Sequence, residues 1–393
     1  MMPEKLAFFA YALLLWALPL VAVYVPRCGA FLLPVAAGLA LPAAWQQRAY
    51  FKKYLSLRYA LVGVLVLSLL ALGWVFSSEA ARANEAVQSV LLYGGSVLLV
   101  LAGTKALGAS ARQLLWRGLY FALLLAAVLI VFDFTHNMAV NTLISRVAGE
   151  APPIPFQLDR SIITVVLLFW GVLAGCAAAG VARLGVAVGF VFLFLVSQSM
   201  SQAATIGLVS GLGVYLLSYC ASLRWVRGGL VALILSLLLF MPQLVQIAAG
   251  LIGDDPNFWP AASGTARLQI WLQTVDYIKA SPWFGYGIEA ARGLPLLQGN
   301  IHPHNGPLQL WLEFGVLGPL LVAALLILLV RSMRDWPEAV ARAGYAALVC
   351  WLMIFCVSYN IWQAWWMASA VTLAILMHFM VGFRPQLRPA WTP

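Results

Sequence analysis

About twelve apolar stretches, each long enough to cross a bilayer, leave this chain little choice of fold. They fall at approximately 6–24, 28–45, 59–77, 86–103, 117–134, 161–181, 184–200, 203–221, 228–250, 306–330, 343–360 and 364–383. A hydrocarbon core about 30 Å thick takes roughly 20 apolar residues per helical crossing. Each backbone N–H or C=O left unpaired in lipid costs several kcal/mol, so a spanning chain is either helical or a closed barrel. The continuous Leu, Ala and Val runs exclude the alternating pattern of barrel strands. The sequence therefore predicts an all-α integral membrane protein of about 12 transmembrane helices, a single polytopic domain over 1–393. With 63% hydrophobic and 9% charged residues, a soluble fold of this size is excluded.

Orientation follows from the short loops, because Lys and Arg are retained on the cytoplasmic side during insertion. One set of loops, with both termini, holds most of the 23 basic residues, among them Lys52, Arg117, Arg227 and Arg334. The opposite set keeps Arg27, Arg82, Arg146, Arg160, Arg267, Lys279 and Arg292. The formal charge of +10 is thus mostly topological and matches anionic membrane lipids of the inner leaflet. It implies no nucleic acid partner, since no soluble basic domain is present to bind one. The apolar run from Leu6 reads as a first span, because Tyr24-Val25-Pro26-Arg27 offers no small-x-small cleavage site. Five cysteines without a C-x-x-C pair imply neither a disulfide framework nor a zinc site.

Two outer segments, about 135–160 and 251–305, are too long to be simple connectors. The second is rich in aromatics and carries Leu268, Trp271, Leu272, Val275 and Ile278 at helical spacing. This pattern predicts an amphipathic helix that starts at Gly264-Thr265, with Thr265 as N-cap, and ends at Ser281-Pro282. Such a helix would lie along the outer surface with its aromatic face in the headgroups, as part of a loop over an outer cavity.

Two of the four histidines stand together in His302-Pro303-His304-Asn305-Gly306, just before the tenth span. Imidazole titrates near neutrality and can take a proton from a hydroxyl. Helix capping accounts for Asn305 as N-cap and Pro307 in the first turn, but gives no reason for two imidazoles. No cysteine or carboxylate cluster accompanies them to complete a metal site, so no metal or other cofactor is expected. Arg160 opens the sixth span and Arg267 the amphipathic helix. A guanidinium fork suits phosphate, while the plainer reading is snorkelling to headgroups or pairing with Asp159 or Asp254. Arg146 and Lys279 are weaker candidates, and Arg82 and Arg292 have no assigned role. Gln198 and Gln202, at the turn between spans seven and eight, are either interhelical contacts or substrate contacts.

The order of these motifs resembles a known family. Arg267-Leu-Gln-Ile-Trp271, Ser281-Pro-Trp-Phe-Gly285-Tyr-Gly287, His302-Pro-His-Asn305 and Leu308-Gln-Leu-Trp-Leu-Glu313-Phe-Gly315-Val-Leu-Gly318 are similar to the O-antigen ligase and polymerase superfamily. Asp159-Arg160 and the Ser201-Gln202 turn look like the lipopolysaccharide O-antigen ligases within it. The resemblance covers roughly 155–320. It implies a GT-C-type glycosyltransferase that moves O-antigen from undecaprenyl pyrophosphate to lipid A–core at the periplasmic face of the inner membrane. It also implies a catalytic His304, with Arg160 and Arg267 as the essential arginines and His302, Asn305 and Gln202 in support. Many relatives, polymerases especially, have Arg where this chain has Gln202, which leaves the pyrophosphate charge to the two arginines. Metal-independent, inverting transfer is expected, since two guanidinium groups can neutralise a pyrophosphate and no Asp-x-Asp motif is present. The rivals are an O-antigen polymerase, a protein O-oligosaccharyltransferase, which usually carries a large soluble C-terminal domain not seen before Pro393, and a lipid-linked glycan transporter. Transport would need charged or broken helices at mid-membrane depth.

Overall fold

The computed structural model describes residues 2–49, 57–149, 153, 157–252, 262–295 and 302–383. In chain order the helices are α1 (Met2–Tyr24, with a π-turn over Leu13–Ala17), α2 (Gly29–Gln46), α3 (Leu57–Val75), α4 (Ala80–Gly103) and α5 (Ala109–Thr135). Then follow α6 (Ala139–Ala148), α7 (Leu158–Ala178), α8 (Ala182–Gln198), α9 (Gln202–Cys220), α10 (Leu223–Leu239) and α11 (Met241–Ile252). The last are α12 (Ala262–Ala280), α13 (Gly306–Phe314), α14 (Leu317–Ser332), α15 (Glu338–Val357) and α16 (Ala364–Val381). Among the described residues there is no strand.

Nine of the described helices are long and apolar enough to cross a membrane, and a tenth span results if α10 and α11 are taken together. Two further apolar stretches, Ala60–Val75 within α3 and Arg183–Gln198 within α8, are shorter. The chain is therefore a multi-pass membrane protein; nine or ten such spans stand among the described residues, and the sequence predicts about twelve. Two of the anticipated spans are broken. Between α10 and α11 the axis turns by 81°. The cause is Pro242, which has no N–H to give to the Leu238 carbonyl one turn earlier. That carbonyl accepts the Trp311 indole N–H instead, at 2.9 Å.

The second break divides the run anticipated at 306–330 into α13 and α14. Gly315, at φ +58, ends α13, and the next amide, of Val316, donates to Pro282 O at 2.8 Å. A Cβ at Gly315 would lie 2.2 Å from the Trp283 carbonyl carbon. Gly315→Ala is thus expected to destabilise the fold by about 2 kcal/mol or more, because it adds both a disfavoured φ and a backbone collision. Thermal unfolding of the detergent-solubilised variant, against wild type, checks this.

At the centre stands α7, with every residue from Ser161 to Cys176 buried. Nearby, α9 packs antiparallel on α15. Gly207 and Gly211, one small-x-x-x-small step apart, put α9 against Cys350, Ile354 and the Ala346 carbonyl. The antiparallel pairing places the Gln202 end of α9 beside the Val357 end of α15. The same end of the bundle holds Arg160, Arg267 and the histidine loop. Arg331, Arg334 and Arg342 lie at the other end. Lys52, expected there too, is outside the described residues.

Candidate active site

The motif Ser281–Gly287 is held by the broken end of α13. Tyr286 and Gly287 donate their amides to the Leu312 and Glu313 carbonyls, each at 2.9 Å, which satisfies groups that a helix C-terminus leaves open. Gly285 and Gly287 have φ of +67 and +90, and a Cβ at either would strike backbone at 2.4–2.5 Å. Ile288 then docks on α3, its amide on Gly73 O at 2.9 Å and its carbonyl accepting the Ser77 hydroxyl at 2.7 Å.

A buried polar network fixes these pieces to the loop after α15. Asn360 Nδ2 donates to both Glu289 carboxylate oxygens at 3.2 Å, and Asn360 Oδ1 accepts from Gln309 Nε2 at 3.0 Å. Gln309 Nε2 also donates to Glu313 at 2.8 Å, whose other oxygen accepts the Trp362 indole N–H at 2.6 Å. Arg292 Nε completes the chain on Glu289 at 2.8 Å. Each carboxylate thus has at least two donors, as burial demands.

On this frame sits the histidine loop. Asn305 caps α13 as anticipated, Oδ1 accepting the Leu308 amide at 3.0 Å. His302 is buried, and its Nδ1 accepts the His304 amide at 3.2 Å, with the rings 4.0 Å apart. His304 is half-buried and held at φ +53, a conformation that costs a non-glycine residue energy and that clusters at functional sites. The Trp271 indole donates to Pro303 O at 2.8 Å. Trp271, whose side was expected to rest on lipid or on neighbouring spans, thereby pins the histidine loop. The helix itself begins at Ala262, so Thr265 lies within α12 rather than capping it, while the end before Ser281-Pro282 is as anticipated.

Arg267 donates to Val357 O, at the C-terminus of α15, at 3.2 Å. It is neither a free snorkelling side chain nor simply paired with an acid, and its charge reaches Asp159, Tyr359, His302 and His304. Arg160 lies 5.8 Å over the Trp365 ring, within electrostatic reach of Arg27 and Tyr359. Asp254 is outside the described residues. Burial, then the Arg267 charge, holds His304 down at about 4, and burial with His304, Arg292 and Arg267 brings His302 to about 3. Both imidazoles are therefore neutral at pH 7, and each retains a lone pair. The arrangement can offer an anion two guanidinium groups and offer a hydroxyl proton one uncharged base.

Tyr359 was not singled out in the sequence. It also has a left-handed backbone (φ +53), packs edge-on against Trp365 at 4.7 Å and is linked electrostatically to Asp159, Arg160 and Arg267. Burial raises its phenol well above the usual value, so it remains a donor. Glu289, Gln309, Glu313 and Asn360 were missed as well. A carboxylate at 313 inside an otherwise apolar run was the available signal, since such groups are seldom placed there without partners. Gln202 stands exposed at the first turn of α9 and makes no hydrogen bond with the arginines or the histidine loop. Arg146 is exposed on α6, and Lys279 is exposed and paired with Asp276 at 3.0 Å, so neither joins the cluster.

Residues 184–323 match the model of a family described as O-antigen ligase. That match includes Arg267 and the histidine loop, while Arg160 and Tyr359 come from outside it. A protein named "Putative polysaccharide ligase" from Rickettsia felis is 25% identical over 240 residues, 58% of this chain and 59% of that one. Relatives of the same name are 25% identical in Rickettsia conorii, over 69% of this chain and 68% of theirs, and 29% identical in Rickettsia prowazekii, over 49% and 50%. The alignment thus spans less than two thirds of the Rickettsia felis protein. No solved structure matches. Over residues 184–323 the chain is thus similar to the O-antigen ligase family, and the relatives it matches carry the name polysaccharide ligase.

Proposed function

We propose that this protein is a glycosyltransferase that moves O-antigen polysaccharide from undecaprenyl pyrophosphate to a sugar hydroxyl of lipid A–core, at the periplasmic face of the bacterial inner membrane. The observation that carries the reading is the cluster itself: a neutral His304 beside Arg267, with Arg160 and Tyr359 joined to the same group of side chains. Arg160 and Arg267 hold the pyrophosphate. His304 takes the acceptor hydroxyl's proton as its oxygen bonds to the anomeric carbon, and the sugar–pyrophosphate bond breaks on the opposite face. The carbon is inverted, undecaprenyl pyrophosphate leaves with its charge matched by the arginines, and no metal is called upon. The polar residues gather at one end of the bundle rather than at mid-depth, which favours transfer at an interface over transport.

Mass analysis of lipopolysaccharide from a deletion strain tests this reading. A core devoid of O-antigen, with lipid-linked polymer accumulating, is the expected result. Core carrying single repeats would instead indicate a polymerase, and unchanged lipopolysaccharide with lost protein glycans a protein O-oligosaccharyltransferase.

The positive field at His304 also gives a pH dependence. In the free enzyme the imidazole titrates at about 4, so kcat/KM should stay level from pH 8 down to about 5. A bound pyrophosphate offsets the Arg267 charge that helps hold His304 down, so the acid limb of kcat should lie at higher pH than that of kcat/KM. Initial rates across pH, with the donor varied, measure both; coincident limbs near pH 6.5 would contradict the coupling.

A further inference from the structure

At the end of the bundle opposite the histidine loop lies a cavity of about 1450 Å³, formed by α3, α4, α10, α14, α15 and α16 and the turn after α14. Its position follows from α14, which starts beside the Pro282 contact and runs about 24 Å to reach Arg331. We propose that this cavity binds an anionic glycerophospholipid, with its phosphate at the arginines and acyl chain inside.

Size is the first argument. Pockets for drug-sized ligands run to roughly 300–1,000 Å³, so this volume suits something larger than a small metabolite. Shape and polarity come next. Along α15 the lining passes from Gly344 to Trp351, about 10 Å of helix, and the facing wall of α14 is leucine. Apart from the Trp351 indole the lining at that depth is apolar, which suits a hydrocarbon chain better than a soluble polar ligand.

Charge selects among lipids. Arg227, from α10, meets Arg331 and Arg334, three residues apart at and just after the end of α14, in the lining of the same cavity. The carboxylate there, Asp335, pairs among the described residues with Arg334, at 3.4 Å and with both side chains largely exposed. Three guanidinium groups against one carboxylate leave an excess of two positive charges. Topology accounts for basic residues at this end, but not for their convergence around one apolar cavity. A guanidinium fork matches phosphate, and a neutral polyprenyl chain would make no use of it.

Gly228 offers a clean probe, because it lines the cavity and a Cβ there meets nothing within 4 Å. Gly228→Trp should obstruct the cavity, since its Cβ starts in open space. The experiment uses the full chain in detergent, with phosphatidylglycerol or phosphatidylcholine added and bound lipid counted by native mass spectrometry. Wild type should retain one phosphatidylglycerol per chain, with roughly tenfold or greater preference over phosphatidylcholine. Gly228→Trp should lose that lipid, and the double variant Arg331→Gln/Arg334→Gln should lose the preference while still binding either lipid weakly. Thermal unfolding without added lipid identifies any variant that fails to fold, and Gly228→Leu then takes the place of the larger substitution. Undiminished retention in the cavity-filling variant, equal binding of the two lipids by wild type, or co-purified polyprenyl phosphate in place of phospholipid would each overturn the proposal.

Discussion

Replacing His304 by alanine is expected to lower transfer by about 10²–10⁴-fold, the usual contribution of general-base assistance, while the protein remains folded. The fold should survive because the supports of the loop lie elsewhere. Asn305 caps α13, Trp271 holds Pro303 and His302 is packed beneath. What disappears is the imidazole itself. Purified enzyme with lipid-linked glycan and lipid A–core as substrates gives the rate, and unfolding temperature confirms the state of the protein. A variant that is folded and transfers at near-wild-type rate would remove His304 from the chemistry.

Arginine-to-lysine substitution at 160 and 267 is expected to cut transfer by roughly 10–100-fold at either position, corresponding to loss of a charge-assisted hydrogen bond. Lys keeps the charge but has no planar fork, so it cannot grip two oxygens while holding its protein partner. For Arg267 that partner is the Val357 carbonyl, and for Arg160 it is the Trp365 ring. Headgroup snorkelling predicts the reverse, because Lys snorkels as well as Arg. Arg82, exposed and paired with Glu85 at 2.8 Å, is a suitable control whose Lys variant should behave as wild type. Arg292 is not. The sequence offered it as an outer arginine without a role, yet it is bonded to Glu289 within the buried network. Assays at matched protein levels decide between the readings, and equal tolerance at 82, 160 and 267 would remove the pyrophosphate role from both arginines.

The apolar runs made the helices legible, since lipid leaves the backbone few alternatives. The grouping of Arg160, Arg267 and the histidine loop at one end was legible for the same reason, because span order and loop charge assign each loop to an end. What failed was continuity within a run. Pro242 and Gly315 sit in segments that hydropathy alone reads as unbroken, and each converts one anticipated span into two helices. Those breaks matter to the site, because the freed groups at Leu238, Leu312 and Glu313 receive Trp311, Tyr286 and Gly287. Tyr359 and Asn360 were hidden by their position at the end of an apolar run. Their importance depends on what α7, α12 and the 281–295 segment bring to them from far along the chain, which no local pattern records. The start of α12 was misplaced because Ala-Ser-Gly reads as a loop in the sequence, whereas the helix begins at Ala262.

A structure of the protein with undecaprenyl pyrophosphate bound tests the central claim most directly. Pyrophosphate oxygens are expected within hydrogen-bond distance of both Arg160 and Arg267, with His304 facing the position from which an acceptor hydroxyl would attack. Pyrophosphate bound at the Arg331 end of the bundle, or at the histidine end but out of reach of either arginine, would contradict it.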